Sequence, residues 1–406
     1  MIEFQKKTIY EALGREPVHP FPARMAPGIA LHVMSNSKGL RVLDPMMGSG
    51  TVLAMARAKG HYAVGFDVDP LAVLISKVWT TATYPEEIRD IAQSVFSTAC
   101  AEFKNISQGE AYPENADEET SKFIRYWFDG YARRQLAALS IAIRTVKSED
   151  TRNALWCTFS RLIITKQAGA SRAMDLSHSR PHRTYTTAPV KPFNKFLSAV
   201  ERIIANTIDK KDPDRGPATM VNNGDARALP LPDDSIDLVL TSPPYLNAID
   251  YMRCSKFSLV WMGYGISELR LIRAKSVGTE TGDQSLEDQG IRSIIAALKL
   301  EPKLGQRNER ILARYIFDMR SAVSEVGRVL SSTGKAVYVV GENTLKETYI
   351  STSVIVLKLA EQARMELEEQ WTRILPANRR YLPPPSSASS AMDARMRREV
   401  VMVFTK

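Results

Sequence analysis

The stretch Leu40-Arg41-Val42-Leu43-Asp44-Pro45-Met46-Met47-Gly48-Ser49-Gly50-Thr51 carries the reading of the fold. Its apolar run, residues 40–44, stops at a glycine-rich turn, and residues 51–59 then place small and apolar side chains at helical spacing. A second run follows at 62–67, and Pro70 opens another apolar helix that reaches about Trp79. Strand, turn, helix, strand, helix in that order is how a parallel, doubly wound α/β sheet begins. Further along, residues 219–222, 235–241 and 334–341 read as strands, with a long amphipathic helix at about 309–330. The last two strands are expected at 366–374 and 399–404, joined by a Pro- and Ser-rich loop, with the final strand reversed. Between Tyr84 and Arg215 helical spacing replaces the strand signal. The expected organisation is a cofactor-binding half (1–83), a large helical insertion (84–215) and a catalytic half (216–406).

Composition narrows the classes. The chain has 406 residues, 44% hydrophobic and 24% charged, enough for a sizeable core and unlike a disordered polymer. Cys100, Cys157 and Cys254 are far apart and form no Cys-x-x-Cys pair, which excludes a disulfide framework and a cysteine zinc site. His178 and His182 lie four apart, but Pro181 opposes a shared helix, so no metal is expected. No apolar run approaches the roughly 18 residues of a membrane span, and the opening MIEFQKKTIYEAL lacks the apolar centre of a signal peptide. A cytoplasmic protein away from membranes is the expectation. The net charge of +9 is concentrated: Lys122 to Arg215 holds 18 lysines and arginines against 8 acidic residues. Basic charge interleaved with aromatics suits phosphate contact, and suits equally a solvated helical face.

The glycine turn sits where a strand delivers the chain to a helix start, so a ligand can approach the backbone and meet outward N–H groups. Neither Gly-x-Gly-x-x-Gly nor Gly-Lys-Ser/Thr is present, which disfavours a dinucleotide or a triphosphate. Asp67 ends the second strand, where a carboxylate can accept both hydroxyls of a ribose. Asn223-Gly224-Asp225-Ala226 ends the third and offers a carboxylate for an amine such as adenine's. Each piece has a plainer reading, as a tight connection, a helix cap or an Asx turn. Three of them on one edge of one sheet point to a cofactor.

Together with Thr241-Ser242-Pro243-Pro244-Tyr245, the motif Asp-Pro-x-x-Gly-Ser-Gly-Thr and the later Asp67 resemble the S-adenosylmethionine-dependent DNA amino-methyltransferases. Ser before Pro-Pro is most similar to the N4-cytosine type. The resemblance implies an α/β fold, the class I methyltransferase Rossmann-like sheet, mostly parallel with an antiparallel last strand. It implies S-adenosylmethionine contacts at Asp44, Pro45, Gly48, Ser49, Gly50, Thr51, Asp67, Val68, Asp225 and Ala226. His19-Pro20-Phe21-Pro22-Ala23-Arg24 resembles the family's extra motif, which places Phe21 and Pro22 against the methionine part of the cofactor. Similarity covers about residues 18–80 and 219–406 and leaves the insertion unexplained. An insert between the second and third strands departs from the family's known motif orders.

Ser242, Pro243, Pro244 and Tyr245 are the expected catalytic residues. An exocyclic amine conjugated to its ring must pyramidalise and lose a proton, which acceptors at Ser242 and Pro243 assist, and Tyr245 offers a ring to a base taken out of the stack. Ring-carbon methylation needs a thiolate, commonly after proline; the three cysteines follow Ala99, Trp156 and Arg253. DNA contacts are expected from Arg172, His178, Arg180 and Arg183 in the insertion, from Arg253 and Lys256 beyond the catalytic motif, and from Arg379 and Arg380 in the Pro/Ser loop. The expected partners are DNA and a cognate restriction endonuclease, with the chain a monomer or homodimer. The rival readings are an adenine-N6 enzyme, an RNA base methyltransferase and a non-catalytic nucleic-acid-binding module.

Overall fold

The computed structural model describes residues 7–22, 24–34, 39–114, 116–176, 181–246, 251–278, 288–301, 303–345, 348–375 and 398–406. Seven strands form the central sheet: β1 (Arg41–Asp44), β2 (Tyr62–Asp67), β3 (Thr219–Asn223), β4 (Ile236–Thr241), β5 (Leu330–Gly341), β6 (Glu366–Ile374) and β7 (Arg398–Thr405). Their order is β6-β7-β5-β4-β1-β2-β3. The five strands from β3 to β5 run parallel, and β7 is antiparallel to both neighbours, β5 and β6.

Strands covered on both faces carry apolar residues in both phases of the pleat. Leu238 and Leu240 of β4, with Val337 and Val339 of β5, face one core; Val239, Ala336, Tyr338 and Val340 face the other. The first core is closed by helices α1 (Thr51–Ala58) and α2 (Pro70–Thr80) and continues into the insertion. β6 forms the outer edge and exposes Glu366, Glu368 and Glu369, charges that discourage further strand pairing.

The insertion supplies α3 (Pro85–Asn105), α4 (Glu118–Trp127), α5 (Gly130–Arg144), α6 (Glu149–Ile163) and α7 (Pro192–Ile204). Trp156, Phe159 and Leu136 share one cluster with Val42 and Trp79, so this helical layer is built onto the sheet's own core. Helix α8 (Met252–Leu259) follows the catalytic motif, and the second core is closed by α9 (Gln306–Val329) and α10 (Thr352–Gln362).

Two expectations change. The insertion is not wholly helical: its Ile208–Asp209 pairs with Ala82–Thr83 just before it, and its Ala173–Met174 pairs with His182–Arg183. Ala173 and Leu176 are buried there, an anchoring that the surrounding polar residues conceal in the sequence. Strand β5 starts at Leu330 rather than 334, because Leu330 is buried and pairs with Ile236. Among the described residues no helix is long and apolar enough to cross a membrane, and no group of three metal-ligating side chains converges.

Candidate active site

The turn after β1 is tight for identifiable reasons. Gly48 and Gly50 have φ of +50° and +77°, in the left-handed region that glycine tolerates best. A Cβ on Gly50 would collide with the Ser76 hydroxyl, and one on Gly48 would lie 3.0 Å from Cε1 of Phe21. Asp67 fastens the turn from β2: Oδ2 accepts the Gly48 N–H at 2.9 Å and Oδ1 accepts the Asp69 N–H at 2.9 Å. Helix α1 begins with no side-chain cap, which leaves its first N–H groups for an incoming acceptor. Thr51, in its first turn, buries a hydroxyl that finds no partner among the described residues.

Two carboxylates meet at this edge. Asp44 is buried and accepts from the Thr241 hydroxyl at 2.8 Å and the Met46 N–H at 3.2 Å. Burial still pushes its carboxyl up to about 7, and the charge of Asp67 adds to the rise. Asp67 is likewise pushed up to about 7 by burial and by Asp69, against the pull of its N–H donors.

The N-terminal motif reaches the same place. Phe21 lies against Gly48 and stacks on Tyr251, with centroids 5.5 Å apart and planes 17° from parallel. It is held from behind by the insertion. His19 is fully buried, its Nδ1 is 2.6 Å from the Pro20 carbonyl and its Nε2 is 2.8 Å from the Ser160 hydroxyl of α6. The carbonyl can only accept, so Nδ1 carries the proton. Nε2 therefore accepts from Ser160, which in turn accepts from the Ser258 hydroxyl of α8 at 2.9 Å, and Arg161 donates to the Val18 carbonyl at 2.6 Å. Burial pushes the His19 imidazole down to about 3.

The catalytic motif leaves the adjacent end of β4. Thr241 is bonded to Asp44, Ser242 Oγ donates to the Val339 carbonyl of β5 at 3.0 Å, and the Tyr245 hydroxyl donates to Glu399 at 2.9 Å. Pro243 is buried and Pro244 half-buried between these anchors. A glycine turn after β1, Asp67 ending β2, Asp225 just past β3, and β7 inserted in reverse between β5 and β6 make one recognisable arrangement. The chain has the class I methyltransferase fold. In a methyltransferase of this class the group to be held is S-adenosylmethionine, and the residues fit it: an uncapped helix start, a Thr51 hydroxyl without a partner among the described residues, the Asp67 carboxylate at the glycine turn and the Phe21 ring against Gly48.

No protein-family model matches the chain. It is 23% identical to the Type II methyltransferase M.MvaI of Kocuria varians, over 89% of this chain and 84% of that protein. It is 22% identical to the Type II methyltransferase M.AvaI of Nostoc sp., over 81% of this chain and 74% of the relative. A solved structure, PvuII DNA methyltransferase (cytosine-N4-specific), aligns with 45% of this chain and 47% of its own at 15% identity and a TM-score of 0.26. Residues outside 84–215 are about two-thirds of the chain, so the match to the Kocuria protein must run into the insertion. The similarity is wider than the motifs alone implied.

Several side chains sit differently from their simplest reading. Asp225 does not stand open: Arg227 grips both its oxygens at 2.7–3.1 Å and bonds the buried Asp318 of α9 at 2.7 Å. Val68 is half-buried and Ala226 buried. Arg172 turns inward, toward the carbonyls of Arg125 and Tyr126 at the end of α4, at 3.4 and 3.3 Å. Arg183 stays exposed, its guanidinium 5.0 Å from the Tyr126 ring centre. Arg253 and Lys256 lie on α8, Lys256 over Phe123 at 5.3 Å. His178, Arg180, Arg379 and Arg380 lie outside the described residues. Sequence reasoning missed Glu399 and its neighbour Arg373; their signal is a charged Glu399 opening a strand whose other buried positions, Val400 to Phe404, are apolar.

Proposed function

We propose that the chain transfers the methyl group of S-adenosylmethionine to an exocyclic amine of a DNA base, and that the base is cytosine, methylated at N4. The carrying observation is the Ser242 hydroxyl. Its proton is engaged by the Val339 carbonyl and its oxygen also contacts the Tyr245 hydroxyl, so one lone pair remains to accept from a substrate amine as that nitrogen pyramidalises. When bound, S-adenosylmethionine supplies a methyl on a positively charged sulfur. Asp67 and the uncapped α1 orient that cofactor, the Thr241–Asp44 bond fixes the motif beside the glycine turn, and Tyr245 offers its ring to the extruded base. In this reading the exposed Arg183 meets phosphate. The names of the relatives, Type II methyltransferases, support DNA as substrate and a restriction endonuclease as companion.

A thiolate mechanism finds no support. Cys157 is buried in α6 with its thiol pushed up to about 12, and Cys100 and Cys254 do not follow proline. Mass spectrometry of nucleosides from DNA treated with the protein and labelled cofactor tests the reading. N4-methylcytosine is expected, from the wild type and from a folded variant with all three cysteines replaced by Ala. N6-methyladenine would keep the mechanism and overturn the base; 5-methylcytosine would overturn both.

A further inference from the structure

Tyr245 is anchored by a part of the chain remote from its own motif. Its hydroxyl donates to Oε1 of Glu399, which stands near the start of β7, 154 residues away. The register of β7 sets Glu399 opposite Arg373 of β6 on one side and Gly341 of β5 on the other. Arg373 Nη2 lies 3.3 Å from Glu399 Oε2, and the two residues are only 5% and 8% exposed. Nε and Nη1 of Arg373 find no partner among the described residues. Such a pair is a poor way to stabilise a sheet, since desolvation offsets most of the attraction and apolar residues of similar volume do as well. The adjoining residues Val400 to Phe404 are apolar and buried, which makes the charged pair at the tyrosine end of the strand more pointed.

We propose that Glu399, fixed by Arg373, is a positioning residue that holds the Tyr245 ring at the angle on which the target base stacks. This rests on the reading of Tyr245 as the stacking ring. An unanchored phenyl group would sample other rotamers and would have to be ordered at each turnover, whereas the anchored phenol meets the base already aligned. The contact is to the tyrosine and not to the cofactor turn, so its loss should appear in kcat and leave the cofactor's KM alone.

The test uses the full chain, tritiated S-adenosylmethionine and unmodified plasmid DNA. Tyr245→Phe keeps the ring and the buried pair but removes the hydroxyl's contacts with Glu399 and Ser242, and should lower kcat about tenfold with the cofactor KM unchanged. Glu399→Gln, whose amide oxygen still accepts, should retain most of the rate. The double variant Glu399→Leu/Arg373→Leu removes both charges together and should reproduce the Tyr245→Phe loss, with no further loss when Tyr245→Phe is added. If the double variant does not fold, Tyr245→Phe alone decides. Full rate in Tyr245→Phe with an impaired Tyr245→Ala would overturn the anchoring and leave the stacking ring in place. Full rate in Tyr245→Ala would remove the stacking role itself.

Discussion

Thr241 donates its hydroxyl to the buried carboxylate of Asp44 at 2.8 Å, and this bond joins the end of β4 to the end of β1. It ties the catalytic motif to the cofactor turn across neighbouring strands. Thr241→Val keeps the shape and deletes the donor, so stability should fall by about 1–3 kcal/mol. The loss should be larger at pH 8, where Asp44 is ionised, than at pH 5, where a carboxyl pushed up to about 7 is protonated. Urea denaturation at the two pH values measures this; equal losses would show that Asp44 does not change charge between them.

Asp67 predicts how cofactor affinity depends on pH. Ribose hydroxyls donate best to the ionised carboxylate, and burial raises this group to about 7. At pH 6 only about a tenth is ionised, so S-adenosylmethionine should bind about tenfold more weakly than at pH 8. Calorimetry on Asp67→Asn should give weaker and pH-independent binding. A flat profile in the wild type would remove Asp67 from the cofactor contact.

His19 predicts an acid sensitivity of the fold itself. Its folded value, about 3, lies below the ordinary 6.5, so the unfolded chain binds the proton more readily. Its contribution is complete above pH 6.5 and declines as the pH falls toward 3, by at most about 1.4 kcal/mol per pH unit. Asp44 and Asp67 oppose this between their ordinary values and 7, because their folded values are raised and their contribution is lost as pH rises. The difference between wild type and His19→Gln, followed by urea midpoints from pH 7 to pH 5, isolates the histidine and should shrink with acidification.

Arg172 and Arg183 should separate cleanly. Arg183 is exposed over Tyr126, so Arg183→Ala should reduce the log–log salt slope of DNA binding by about 0.9. Arg172 is turned to the end of α4, so Arg172→Ala should cost stability and leave the salt slope as it was. Filter binding across salt concentrations with a parallel melting curve distinguishes them. A slope change from Arg172 alone would assign the phosphate contact to Arg172 instead.

The parallel strands, the glycine turn, Asp67 and Ser-Pro-Pro-Tyr were legible because each is written in contiguous residues. Apolar runs with β-branched residues announce β1, β2 and β4, and a turn needing φ above zero announces itself through Gly48 and Gly50. The role of the insertion was not legible. Nothing local to Ser160 or Arg161 shows that they hold residues 18–20, about 140 positions earlier. Arg172 and Arg183 look alike in a basic loop, and only the packing of α4 turns one in and leaves the other out.

The sequence by itself determined the class of sheet and the kind of chemistry, since backbone conformation and hydrophobic period are set by neighbours within a few residues. Only the tertiary structure decided which groups act together: Thr241 with Asp44, Tyr245 with Glu399, Asp225 with Arg227 and Asp318. The physical reason is that a hydrogen bond or ion pair acts over a few ångströms, and the sheet brings the ends of its parallel strands and the start of the reversed β7 within that reach, although the partners are 197 and 154 positions apart in the chain.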